Sequence, residues 1–140
     1  MPVDESAVFA EKCRALDFSL IQMITPTTER SRAIEITKQA SGFIYYVSIA
    51  GITGERNELP PELIENIRWL KTQTDLPICV GFGISQPKHA VALKEVADGM
   101  IVGSAIVRRI AAVEEENKSP QEVIDEVTSF AKEMLTAING

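Results

Sequence analysis

The most informative segment of this sequence is FIYYVSIAGITG, residues 43–54. It begins with bulky apolar and aromatic side chains, which are typical of a buried β-strand, and ends in a loop that holds Gly51 and Gly54. Glycine lets a backbone approach a ligand closely, because no Cβ stands in the way. We therefore predict a strand over 43–49 and a following loop that closes over a ligand.

Helical and strand patterns alternate on both sides of this segment. Helices are predicted over 4–16, over 27–40, from Pro60 and Pro61 onward, over about 86–97 with Ser85 as N-cap, through AIVRRIAAV, and from Ser119, where Glu122 completes a capping box. Strands are predicted over 18–24, 43–49, 77–82 and 99–104. This alternation implies right-handed crossovers and a parallel sheet. We predict an α/β chain of four parallel strands with flanking helices, with residues 1–140 forming a single domain.

Composition excludes several classes of function. The net charge of −6 disfavours a nucleic-acid partner, and no apolar run approaches the roughly 20 residues that span a bilayer. Two cysteines and one histidine do not suggest a disulfide framework or a zinc site. The amino terminus lacks the pattern of a signal peptide. We expect a reduced, cytoplasmic protein with no membrane partner, no metal and no cofactor.

Glycines follow three successive predicted strands. They are Gly51 and Gly54, Gly81 and Gly83, and Gly103, which Ser104 follows. The carboxyl ends of parallel strands share one edge, where exposed backbone N–H groups can bind an anion. Ser104 adds a hydroxyl, and a helix that begins beside it directs its positive end to the same place.

A single glycine of this kind is more often only a turn residue. Three such strand ends with a serine at a helix start favour a phosphate site. The pattern specifies a phosphate and not a reaction, because many phosphosugar barrels share it.

The segments FIYYVSIAGITG, VGFGIS (80–85) and DGMIVGSAIV (98–107) resemble, in this order and spacing, the C-terminal half of the tryptophan synthase alpha subunit. The first motif is fairly specific to that family, whereas the other two also fit other phosphosugar barrels. The resemblance implies half of a (β/α)8 TIM barrel. It also implies the family reaction of tryptophan biosynthesis, the cleavage of indole-3-glycerol phosphate to indole and glyceraldehyde 3-phosphate. The family's partner is a beta subunit that uses pyridoxal phosphate.

The resemblance also implies roles for individual residues. Those that would bind the substrate phosphate are Gly54, Phe82, Gly83, Gly103 and Ser104. Tyr45 would point into the barrel beside the indole pocket, and Gly81 would leave room in that pocket. Thr53 would lie in the loop that closes over substrate and would orient a catalytic aspartate.

The acid and base of the reaction have no counterpart here. The family's glutamate and aspartate belong to a motif resembling PFSDPxADG, and the ADG at 97–99 precedes the last strand instead. No catalytic residue is therefore assigned. Glu55 and Glu58 are better explained as solvated loop charges, and His89 as a surface histidine, than as substitutes.

Four strands are half of the eight that close a barrel of this class. The edge strands, 18–24 and 99–104, would expose unpaired backbone groups and apolar side chains. We therefore predict a homo-oligomer, in its simplest form two copies around a twofold axis. Two functions remain open: one half of a lyase whose other half is supplied separately, or a non-catalytic half-barrel that binds phosphate or a phosphosugar. A fragment, a truncated reading frame and a split enzyme are equally compatible origins.

Overall fold

Helices and strands alternate in the computed structural model, which describes residues 3–48, 60–81 and 83–140. The elements are α1 (Val3–Ala15), β1 (Gln22–Ile24), α2 (Arg30–Gln39), β2 (Ile44–Val47), α3 (Pro61–Lys71), β3 (Ile78–Gly81), α4 (Pro87–Leu93), β4 (Gly99–Ile101), α5 (Ser104–Glu115) and α6 (Pro120–Asn139). The strands form one parallel sheet in the order β1-β2-β3-β4. The predicted α/β chain of four parallel strands is confirmed.

Side chains alternate between the two faces of the sheet. Ile44, Tyr46, Ile78 and Val80 are buried on the face that the helices cover. The predicted inner stripe of α3 packs into the same core through Leu63, Ile67 and Leu70. Each side chain buried in this way stabilises the fold by about 1.5–3 kcal/mol. The helices and this face of the sheet therefore form the core.

The opposite face is concave and more open. Sheet register places Met23, Tyr45, Cys79 and Gly99 in one row across it. Met23 is 59% exposed, and Tyr45 and Cys79 are half-buried. This is the face that a closed barrel would turn inward.

Most element bounds differ from the sequence prediction by a few residues. Strand β1 begins at Gln22 and not at residue 18, and Phe18 is largely exposed. Strand β4 ends at Ile101, where its pairing with β3 stops, and Ser104 is the first residue of α5. The capping box at Ser119 and Glu122 is present, with Ser119 N–H donating to Glu122 Oε2 at 2.8 Å.

Helix α4 corrects three of the predictions. Its N-cap is Gln86, not Ser85, and it ends at Leu93 rather than near residue 97. His89 is not a surface residue, since it is only 5% exposed. It lies on the buried side of α4 with Ala90 and Leu93, at the spacing that places residues on one helix face. Its Nδ1 accepts a hydrogen bond from the Ser85 N–H at 3.4 Å.

Candidate phosphate site

The carboxyl ends of β2, β3 and β4 lie along one edge of the sheet, because the three strands are parallel and adjacent. This edge carries Ser48 after β2, Gly81 and Gly83 at the end of β3, and Gly103 and Ser104 after β4. The topology thus brings Gly81, Gly83 and Gly103 to a single rim, whereas the predicted Gly51 and Gly54 lie outside the described residues.

Gly103 and Ser104 form the best-defined part of the rim. Gly103 is the N-cap of α5 and Ser104 is its first residue. Among the described residues, no side chain caps this helix end, and a Cβ added at Gly103 would meet no atom within 4 Å. The first N–H groups of a helix lack intrahelical acceptors, and the helix dipole is positive at this end. As far as the described part of the chain shows, exposed Ser104 and the first N–H groups of α5 border open space, which is an arrangement that suits an anion.

Gly83 has a backbone role that is independent of any ligand. Its φ of +76° lies in the left-handed region, which residues other than glycine and asparagine rarely adopt. The chain turns here as it leaves β3, and Ile84 returns to the core. The turn therefore favours glycine at this position, whether or not an anion binds beside it.

Tyr45 and Gly81 lie together on the concave face. A Cβ added at Gly81 would stand 2.7 Å from Cε1 of Tyr45 and closer still to its hydroxyl oxygen. Cys79 lies on the same face, and burial followed by the negative charge of Asp98 raises the pKa of its thiol. The raised pKa favours the neutral form of the thiol.

Ser48 is a structural residue of the rim that the sequence interpretation missed. It is buried, and both its backbone N–H and its hydroxyl donate to the carbonyl oxygen of Gly81, at 2.9 and 3.1 Å. These two bonds hold the end of β2 against the end of β3. The available signal was a small hydroxyl residue directly after an apolar strand, in YYVSI.

Several predicted site residues lie outside the described residues. These are Thr53, Gly54 and Phe82, together with the rejected candidates Glu55 and Glu58. Within the described ranges, no group of three His, Cys, Asp or Glu side chains could hold a metal ion. A search of the same ranges finds no helix with the length and apolar character needed to cross a membrane.

The family model described as "Tryptophan synthase alpha chain" matches residues 1–139. The chain is 55% identical over 117 residues to the tryptophan synthase alpha chain of Rhodopirellula baltica, covering 84% of this chain and 42% of that protein. It is 40% identical over 137 residues to that of Chloroflexus aggregans, covering 98% and 49%.

Solved structures give the same picture. A structure of the tryptophan synthase a2b2 complex from Pyrococcus furiosus matches with a TM-score of 0.82 and 32% identity, over 96% of this chain and 52% of that one. The alpha subunit from Legionella pneumophila matches with a TM-score of 0.78 and 32% identity, over 99% and 49%. The chain therefore spans about half the length of the relatives it matches.

Proposed function

The chain belongs to the tryptophan synthase alpha chain family, and we propose that it carries the phosphate-binding half of an indole-3-glycerol-phosphate lyase. The observation that carries this proposal is the start of α5, where Gly103 leaves open space beside Ser104 and the uncapped first turn. Backbone N–H groups, a hydroxyl and the helix dipole there would together bind the phosphate of the substrate. Gly83, Phe82 and Gly54 would extend the same site along the rim.

The indole part of the substrate would lie on the concave face. Tyr45 would form one wall of its pocket, and the missing side chain of Gly81 leaves room for the tyrosine ring. Thr53 would act from the closing loop by orienting the catalytic aspartate of the other half. This chain would thus position the substrate and not perform the proton transfers.

Cleavage of the carbon–carbon bond needs an acid that protonates the indole carbon and a base that removes a proton from the substrate. The motif in which the family supplies these carboxylates is absent from the sequence. We therefore expect binding without turnover by this chain alone. Addition of a polypeptide that carries the carboxylates would restore indole release, and a beta subunit would then accept the indole.

The phosphate site is tested by calorimetric titration of the purified chain with inorganic phosphate and with indole-3-glycerol phosphate. Ser104→Asp places a negative charge at the proposed site, and we expect repulsion to lower the affinity for both ligands at least tenfold. Ser129→Asp, at an exposed position of α6, is the matched control and should leave both affinities unchanged. Equal affinities in wild type and Ser104→Asp would show that the site lies elsewhere.

A second candidate function is a non-catalytic phosphosugar-binding module that forms a homo-oligomer. It is favoured by large apolar side chains that are exposed on the segments preceding β1 and following β4, namely Leu16, Phe18, Val107 and Ile110. Adding the amino-terminal half of the Rhodopirellula baltica alpha chain to the purified chain discriminates between the two candidates. If its addition produces indole from indole-3-glycerol phosphate, the chain is one half of an enzyme; if no indole forms while phosphate still binds, the binding module is favoured.

A further inference from the structure

A cavity lies between α2 and α3, on the face of the sheet that the helices cover. Within the described residues, its walls come from β1, α2, β2 and α3 and from the segment that joins β1 to α2. Tyr46 of β2 lines it, whereas the neighbouring Tyr45 lies on the concave face. The cavity therefore lies beside β2, an inner strand, and is separated by the sheet from the proposed indole pocket.

The cavity is apolar at its inner end and polar at its mouth. The inner end is formed by three buried side chains, those of Ile24, Ala33 and Leu70. At the mouth, Thr25 and Thr28 are half-buried and Arg30 is exposed. The empty space is about 280 Å³ including the open mouth, which admits at most about nine water-sized groups. The lining therefore suits a small ligand with one apolar and one polar end.

Arg30 supplies the charge at the mouth. Its guanidinium carbon lies over the ring of Trp69, 4.8 Å from the ring centroid. Stacking of this kind uses the planar face of the guanidinium and leaves the N–H donors at its edge. In the described ranges 3–48, 60–81 and 83–140, no carboxylate pairs with Arg30. The contact with Trp69 also restricts the arginine before a ligand arrives, which lowers the entropic cost of binding.

The other polar groups of the lining are neutral. Thr25 Oγ1 lies 3.1 Å from Thr28 Oγ1, which also accepts the Thr25 N–H at 3.1 Å. Burial raises the pKa of the Tyr46 hydroxyl, against a smaller lowering by a hydrogen bond with Asn66, so this hydroxyl is uncharged at neutral pH. Among the described residues that line the cavity, none is acidic. The guanidinium charge thus favours an anionic ligand, with no negative side chain in the lining to oppose it.

We propose that this cavity binds a small organic carboxylate. The carboxylate pairs with the edge of the Arg30 guanidinium, whose planar fork matches two carboxylate oxygens, and a short apolar group fills the inner end. Inorganic phosphate would pair with Arg30 but would leave the inner end empty, whereas an uncharged apolar ligand would leave the guanidinium unpaired. The site takes a ligand other than the phosphosugar, so it goes beyond the proposed function and does not depend on it.

NMR titration of the isotope-labelled chain with isovalerate tests the proposal. Trp69 is the only tryptophan of the chain, so its indole N–H gives a single signal that reports on the cavity. We expect a saturable shift of this signal at pH 7 and constant ionic strength. Isovaleramide has the same shape without the charge, and we expect its affinity to be at least about tenfold lower.

Arg30→Met removes the guanidinium and should lower the affinity for isovalerate at least about tenfold. Arg32→Met makes the same change at an exposed position of α2 outside the lining and should leave the affinity unchanged. Circular dichroism reports whether both variants are folded; should Arg30→Met fail to fold, the comparison of isovalerate with isovaleramide on the wild-type chain decides. The proposal would be overturned by the absence of a saturable shift, by equal affinities for the two ligands, or by an unchanged affinity in folded Arg30→Met. Inorganic phosphate that shifts the Trp69 signal with the same affinity as isovalerate would show a general anion site and would overturn the assignment to carboxylates.

Discussion

The ring of Tyr45 occupies the space in which a side chain at position 81 would stand, although the two residues belong to different strands and are not register partners. Val47 is the partner of Gly81 in the ladder, and Tyr45 reaches it diagonally across the concave face. The tyrosine ring can therefore occupy this position only because Gly81 has no side chain.

We expect Gly81→Ala to lower the free energy of unfolding by about 1–3 kcal/mol, because the added methyl overlaps the ring. Tyr45→Ser removes the ring, and the same substitution at Gly81 should then have little effect. Urea unfolding of the two single variants and the double variant measures this coupling. Additive effects of the two changes would contradict the contact.

The stability lost on substituting Gly83 should depend on how readily the new residue adopts a positive φ. Its φ of +76° makes alanine unfavourable, and we expect Gly83→Ala to destabilise the fold by about 1–2 kcal/mol. Asparagine enters the left-handed region more readily, so Gly83→Asn should be less destabilising than Gly83→Ala. Chemical denaturation distinguishes the two, and equal losses would argue against a conformational cause.

His89 should make stability depend on pH near neutrality. Burial, followed by the positive charge of Lys88, lowers its pKa, so the folded state favours the neutral imidazole. The unfolded chain binds this proton near about pH 6.5. The stabilisation that comes from keeping His89 neutral should therefore be fully present above that pH and should fall as the pH decreases through it. The chain has one histidine, so His89→Gln should flatten the unfolding curve between about pH 5.5 and 7. A wild-type stability that is constant over this range would contradict the prediction.

Asp98 should stabilise the sheet by holding a backbone group of β3. Its Oδ2 accepts the Ile78 N–H at 2.9 Å, and its Oδ1 accepts from Lys71 Nζ at 2.8 Å. Burial opposes ionisation, but these bonds outweigh it and lower the pKa of Asp98. Asp98→Ala leaves the Ile78 N–H without its acceptor, which should cost about 1–3 kcal/mol.

The control for this prediction is Lys71→Met, which removes only the exposed ion pair and should cost about 0–1 kcal/mol. Thermal unfolding at pH 7 compares the two variants. Since the folded pKa of Asp98 is lowered, its contribution is present at neutral pH and should be lost as the pH falls below about 4. An equal loss of stability in both variants would show that the backbone hydrogen bond contributes nothing.

Local signals were sufficient for much of the fold. The apolar stripe of α3, the capping box of α6 and the alternation of helices with strands all depend on residues close together in the chain. The grouping of Gly81, Gly83, Gly103 and Ser104 along one rim also follows, because parallel strands share their carboxyl edge.

The ends of the strands could not be predicted in the same way. Apolar character continues through 18–21 at one edge and to Val102 at the other, but β1 begins at Gln22 and β4 ends at Ile101. Hydrogen bonding to a neighbouring strand defines a strand, and the hydrophobic pattern does not show where that pairing stops.

The sequence by itself thus determined the elements, their order and the family resemblance, since periodicity, caps and motifs are properties of short segments. Only the tertiary structure decided that His89 is buried, that Ser48 holds the carbonyl of Gly81, and that Tyr45 fills the space beside Gly81. These facts depend on which residues from different strands and helices meet when the chain folds. Burial and contact are properties of that packing, and no local pattern of side chains specifies them.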